Sequence, residues 1–132
     1  MYRSILEAVA MTLKKYVDDM CGEIGVRLNE LIITGGGSNS DVFMQIFADV
    51  FGLPAVRNEI NSSAGVGAAI CAAAAIGAYH SIGEATANMV RRKDTFLPVP
   101  ENEAIYRQLL PVYLDITNHT DAVLKKTYPI FS

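Results

Sequence analysis

Between Tyr2 and Ile24 the apolar residues Leu6, Val9, Leu13, Val17, Met20 and Ile24 recur at steps of three and four. Glu7, Lys14, Lys15, Asp18 and Glu23 fill the other side. That spacing predicts an amphipathic helix, with Gly22 and Gly25 at its end to close the last turn. Leu28 to Thr34 follows, and its centre, Leu31-Ile32-Ile33-Thr34, is a continuous apolar run bounded by Gly35-Gly36-Gly37. A run of this kind predicts a strand buried on both faces, as in a parallel sheet. Ser38, Asn39, Ser40 and Asp41 are all residues that cap helices, and Val42, Phe43, Ile46, Phe47 and Val50 then keep helical spacing up to Gly52. Leu53 to Val56 predicts a second, short strand. Asn61 or Ser62 caps an alanine-rich helix that runs to about Ala78, and Glu84 to Val90 reads as a shorter one. Thr95 to Pro100 reads as an extended loop with Pro98 and Pro100. From Glu101 to about Lys126, Ile105, Leu109, Val112, Ile116 and Val123 share one face of a final helical region, which Pro111 kinks or divides.

The order α-β-α-β-α-α-α predicts an α/β fold, helix-rich, with a short parallel βαβ unit around the glycines. Two strands cannot cover the apolar faces of three long helices, because sheets of this class commonly have about five or six strands. Further strands must come from another chain or from a larger domain. The uncharged stretch from Ala64 to Tyr79 is shorter than the roughly 18–20 residues of a spanning helix, and it is rich in alanine where insertion favours leucine and phenylalanine. It is read as a helix buried on most sides of a globular fold, with no membrane contact.

Composition narrows the function. The 132 residues fit one domain, and 51 % hydrophobic against 19 % charged residues excludes disorder. A net charge of −3 argues against a nucleic-acid partner held by a basic face. Cys21 and Cys71 form no CxxC pair, which excludes a disulfide framework and a cysteine-rich zinc site and fits a reducing cytoplasm. Arg3, Glu7, Lys14 and Lys15 interrupt the N-terminal stretch where a signal peptide would be apolar.

The chemistry concentrates in Thr34-Gly35-Gly36-Gly37-Ser38-Asn39-Ser40. Glycines between a buried strand and a helix let the backbone approach a ligand with no Cβ in the way, and the helix start favours a phosphate. The stretch lacks the Walker A lysine and the GxGxxG spacing. It reads either as a nucleotide or phosphate loop or as a tight turn.

Leu31 to Ser40, together with Gln45-Ile46-Phe47-Ala48-Asp49-Val50-Phe51-Gly52-Leu53-Pro54, resembles the C-terminal domain of the FGGY carbohydrate kinases, sugar and polyol kinases of the actin-like, ribonuclease-H-like ATPase superfamily. Gly65-Val66-Gly67-Ala68-Ala69 is similar to that family's "alGAA" helix start. Phe96, Pro98, Pro100, Tyr106 and Tyr113 are similar to its closing segment, and Arg3 to Leu13 to the helix before the glycine strand. The likeness covers almost the whole chain.

The resemblance implies an ATP-dependent kinase that transfers a phosphoryl group to a carbohydrate hydroxyl, with Mg in the full-length enzyme. On it, residues 1–132 are the C-terminal segment of the second kinase domain, on the nucleotide-binding side. The first domain and the start of the second, which carries the catalytic aspartate, lie outside the chain. Gly36 matches the glycine at the nucleotide phosphates, Gly35 and Gly37 shape the turn, and Ser40 either contacts nucleotide or serves only as an N-cap. No catalytic residue and no metal ligand is assigned here, and activity of this chain alone is not expected. Asp41 is read as a cap-region acid and Asp49 as a solvated or packing residue. His80 and His119 are read as surface histidines, Cys71 as an inert core thiol, and Ser62-Ser63 as a cap. Arg91-Arg92-Lys93 is read as a solvated helix end, and the glycines of Gly65-Val66-Gly67 as permitting close helix–sheet packing. Expected partners are nucleotide, the carbohydrate only in the full-length protein, and either a second copy or the remaining kinase portion. The alternative is a non-catalytic, self-associating or partner-binding α/β module.

Overall fold

A computed structural model describes residues 1–130 of the chain. Helix α1 (Tyr2–Ile24) leads to strand β1 (Leu31–Ile33), a 3-10 turn over Gly36–Asn39, helix α2 (Asp41–Phe51) and strand β2 (Ala55–Asn58). Helices α3 (Ser63–Ala75) and α4 (Ile82–Met89), strand β3 (Arg92–Phe96) and helix α5 (Pro100–Thr127) complete the fold, with a last 3-10 turn over Tyr128–Ile130. The sheet order is β1-β2-β3. β1 and β2 run parallel, with Leu31 opposite Ala55 and Ile33 opposite Arg57, so the βαβ unit and the α/β class stand.

Strand β3 corrects the sequence reading. It pairs antiparallel to β2, with Ala55 opposite Phe96 and Arg57 opposite Asp94, and takes in the Thr95 and Phe96 assigned above to a loop. Its sequence, Arg-Lys-Asp-Thr-Phe, is polar because it lies at the sheet edge, where the burial signal of a strand is weak. Arg91-Arg92-Lys93 is therefore not a helix end. Arg92 donates to both carboxylate oxygens of Glu30, at 2.8 and 2.6 Å, and so ties β3 to the loop before β1. β2 begins two residues later than Leu53, and α5 runs through Pro111 undivided.

The core forms where α1, α2 and α5 meet. Ala10 and Met11 pack with Ile46, Phe47, Val50, Phe51 and Tyr106, and Phe43, Phe47 and Phe51 follow one another at ring separations of 4.5 and 5.9 Å. On the sheet, Met44 and Ala48 pack against Ala55, Ile33 and Phe96. Tyr106 Oη donates to Glu7 at 2.8 Å and Tyr113 Oη donates to the Ala8 carbonyl at 3.2 Å, so the tyrosines of the closing segment dock α5 on α1.

Two burial expectations fail. Ile32, expected inside, is 58 % exposed because β1 is an edge strand. The alanine-rich α3 buries only Ile70, leaves Cys71 exposed, and ends at Ala75. An added Cβ at Gly67 would meet open space and one at Gly65 only Ser62, so no close helix–sheet packing is present there. Among the described residues no helix is long and apolar enough to cross a membrane.

Of the two readings of Asp49, solvated or packing, the structure gives the second, the residue being 1 % exposed. Its Oδ1 accepts from Gln45 Nε2 and the Val99 N–H, and its Oδ2 from Asn102 Nδ2, each at 2.8 Å. The carboxylate thus joins α2 to the β3–α5 connection. Asp49→Ala leaves these donors without their acceptor, and a loss of about 3 kcal/mol in unfolding free energy is expected from urea titration.

Candidate functional site

The glycine turn leaves the C-terminal end of β1 in a shape that the local sequence dictates. Gly35 has φ 85° and ψ −175°, a backbone region closed to residues with a side chain. A Cβ on Gly37 would lie 2.9 Å from the Phe43 ring, so a side chain there displaces that ring and glycine is favoured. At Gly36 a Cβ would meet nothing within 4 Å. The Gly35 N–H donates to the Asn61 carbonyl at 2.7 Å, and the buried Ser38 donates through Oγ to the Gly35 carbonyl at 2.7 Å. Asn61 Nδ2 donates to Asn39 Oδ1 at 2.9 Å, and Thr34 Oγ1 donates to Ser63 Oγ at 3.2 Å. Both bonds close the loop after β2 against the turn.

Ser40 is the N-cap of α2, its Oγ accepting from the Phe43 N–H at 3.4 Å. Of the two roles left open for it, the cap is the one formed within the chain. Asp41 starts the helix, and its carboxylate is more than a cap-region acid because it accepts from Arg57.

Arg57 is the residue that sequence reasoning missed. It ends the apolar part of β2, and its side chain is 8 % exposed. Nε donates to Asp94 Oδ1 at 2.8 Å while Nη2 bonds the second oxygen of the same carboxylate. Nη1 donates to the Ser38 carbonyl and to Asp41 Oδ1, both at 2.9 Å. The guanidinium carbon lies 5.2 Å from the centre of the Phe96 ring. One cation thereby links β3, the glycine turn and the first residue of α2. The signal in the sequence was a lone arginine next to Ala55-Val56 in a strand, a residue type rarely buried unless paired.

Beside the turn lies a cavity of about 170 Å3, lined by Thr34, Ile60, Val66, Gly67, Ile70 and Met89 among others. Ser62 occupies the N-cap position of α3 but makes no side-chain cap bond. His80 and His119 are exposed and far from the turn in sequence. Among the described residues no group of three or more His, Cys, Asp or Glu could hold a metal ion. The arrangement offers an open backbone rim at Gly35–Gly37, braced from behind by Arg57 and the two acids it pairs with, Asp41 and Asp94.

The profile of the "FGGY family of carbohydrate kinases, C-terminal domain" matches residues 1–76. An "uncharacterized sugar kinase YgcE" of Escherichia coli (strain K12) is 53 % identical over 130 residues, which is 98 % of this chain and 26 % of that protein. A ribulokinase of Mycolicibacterium smegmatis is 39 % identical over 116 residues, 87 % of this chain and 20 % of the relative. Among solved structures, a gluconate kinase from Lactobacillus acidophilus superposes with a TM-score of 0.78 at 24 % identity, over 97 % of this chain and 25 % of that one. A xylulose kinase from Rhodospirillum rubrum gives 0.68 at 29 %, over 98 % and 25 %. The fold is that of the actin-like, ribonuclease-H-like sugar kinases. The chain spans about a quarter of the length of these relatives.

The Arg57 hydrogen bonds hold the Asp94 carboxyl below the ordinary carboxylate range, against a smaller opposing effect of desolvation. A carboxyl lowered in the folded state stabilises the fold above its unfolded pKa, and that contribution is lost as pH falls through the folded value. Acid unfolding is expected to steepen below about pH 4. Asp94→Asn should lower stability at pH 7 and flatten the acid limb, as read by thermal melts across pH.

Proposed function

The chain belongs to the FGGY family of carbohydrate kinases, and from that premise we propose that it forms the adenosine and α-phosphate wall of the ATP site in a sugar or polyol kinase. Residues 1–132 are then the nucleotide-binding side of the second kinase domain. The observation that carries this reading is Gly36. Backbone angle accounts for glycine at 35 and the Phe43 ring for glycine at 37, whereas folding leaves Gly36 unexplained. A ligand drawn against the backbone supplies the missing reason, since a methyl group there would stand between the main chain and a phosphate.

ATP fits the rim on physical grounds. Gly35, Gly36 and Gly37 are exposed, and an added Cβ at Gly35 or Gly36 meets no neighbour. Asp41, the acid nearest in sequence, is paired with Arg57 and so repels an incoming phosphate less than a free carboxylate would. Ser40 holds the helix start in place beside the nucleotide. Mg accompanies the nucleotide in the whole enzyme. The base that activates the sugar hydroxyl, the phosphate clamps and the sugar pocket belong to the remaining kinase portion, so phosphoryl transfer is a property of the whole.

With ADP or ATP at millimolar concentration, amide signals of Gly35 to Ser40 should shift in the 15N-labelled chain. Gly36→Ala should abolish those shifts while moving the melting temperature by no more than about 1–2 °C, the size of a neutral surface change. A folded chain whose turn signals ignore nucleotide would refute the reading.

A second reading concerns association. The β1 edge is unpaired among the described residues, and Ile32 on it is 58 % exposed, as are Ile60 at 56 % and Ile76 at 82 %. Apolar surface of this kind favours a second copy or the remaining kinase portion as cover. Sedimentation velocity should show concentration-dependent assembly at tens of micromolar. A monomer across that range would remove self-association and leave the kinase portion as the cover.

A further inference from the structure

Resting on the nucleotide reading above, we propose that Arg57 is the positioning residue of the nucleotide turn, a guanidinium clamped on β3 by Asp94 that fixes Ser38 and Asp41 and thereby the backbone of Gly35–Ser40. Three observations carry it. The fork of the guanidinium is divided, with Nε and Nη2 spent on both oxygens of Asp94 and Nη1 spent on the turn. Asp94 faces Arg57 across the β2–β3 ladder, next to the register shift between Arg57 and Asn58, so the clamp stands on paired strands and not on a loop. Within the turn, the Ser38 carbonyl accepts from Arg57 while Ser38 Oγ donates to the Gly35 carbonyl, so the guanidinium reaches the first glycine through a single residue.

A turn rich in glycine has many backbone states in the free chain, and ordering it on ligand binding opposes affinity. A bond from a rigid strand to the Ser38 carbonyl removes that freedom before the ligand arrives. The arginine is not interchangeable with lysine here, because only a planar fork holds a bidentate carboxylate and two further acceptors at once. Arg57 does not reach the rim itself. It acts through Ser38 and Asp41.

The test uses the 132-residue chain with MgADP as probe, followed by amide shifts and titration. Arg57→Lys should weaken ADP binding at least tenfold and broaden the Ser38–Ser40 signals of the free chain, while signals around Phe47 and Tyr106 stay in place. Asp94→Asn, which touches no residue of the turn, should weaken binding in the same direction by about threefold. Affinity within twofold of the unsubstituted chain in folded Arg57→Lys would overturn the proposal. So would a loss that merely follows the fraction unfolded. Should Arg57→Lys fail to fold, the Asp94→Asn titration decides alone, with unchanged affinity as the refuting result. If the unsubstituted chain itself shows no shift at Gly35–Ser40, the nucleotide reading fails, and the positioning role with it.

Discussion

A guanidinium buried in a three-stranded sheet is the constraint around which the rest of the molecule is arranged. A charge removed from water is tolerated only where it is paired and its donors are satisfied. Arg57 meets that demand with groups from three different places: Asp94 on β3, the Ser38 carbonyl in the turn and Asp41 at the head of α2. Each of these elements is thereby obliged to sit where it does. β3 must run antiparallel beside β2 to present Asp94, and the turn must fold back over β2 to present Ser38. The short parallel pair and the glycine turn are thus one electrostatic unit.

What could be read from the sequence followed from how locally each element is specified. α1 and α2 were legible because their apolar residues repeat every three to four positions and glycines end them, so the information lies within each segment. β3 was not, because Arg92 to Thr95 carry no apolar alternation, and the strand exists through its ladder to Ala55–Asn58 some 40 residues earlier in the chain. The prolines at 98 and 100 favour a loop over Thr95 to Pro100, whereas Pro98 follows the end of the strand and Pro100 starts α5. Arg57 and Asn58 pushed the second strand too early for the same reason, since polar residues in a strand hide it from a pattern search.

Asp49 shows the limit in a single side chain. Its spacing from Gln45 marks a helical pair, and the sequence offers no further hint. The partners that make it structural, Val99 and Asn102, lie 50 and 53 residues away. A carboxylate with three donors at 2.8 Å is fixed in place, yet the sequence leaves it open between a solvated and a packing residue.

The misread burial of α3, Cys71 and Ile32 has a different origin. Periodicity and composition report the environment a segment is suited to, and a helix without a charge from Ala64 to Tyr79 is suited to being covered on most sides. In this chain α3 meets mainly α4, and only Ile70 is buried. The chain spans about a quarter of the kinases it resembles, so apolar surface of this extent is what a segment of a larger sheet domain would present. The two arginine-bearing strands carry the opposite signature. Arg57 and Arg92 each have their acids inside the chain, at Asp94 and Asp41 and at Glu30. These two arginines are therefore paired within the chain, while apolar groups at α3 and the β1 edge remain open. Paired charge at the arginines and open apolar surface at α3 and the β1 edge therefore lie side by side in one short chain, the first fixed by bonds within it and the second available to a covering partner.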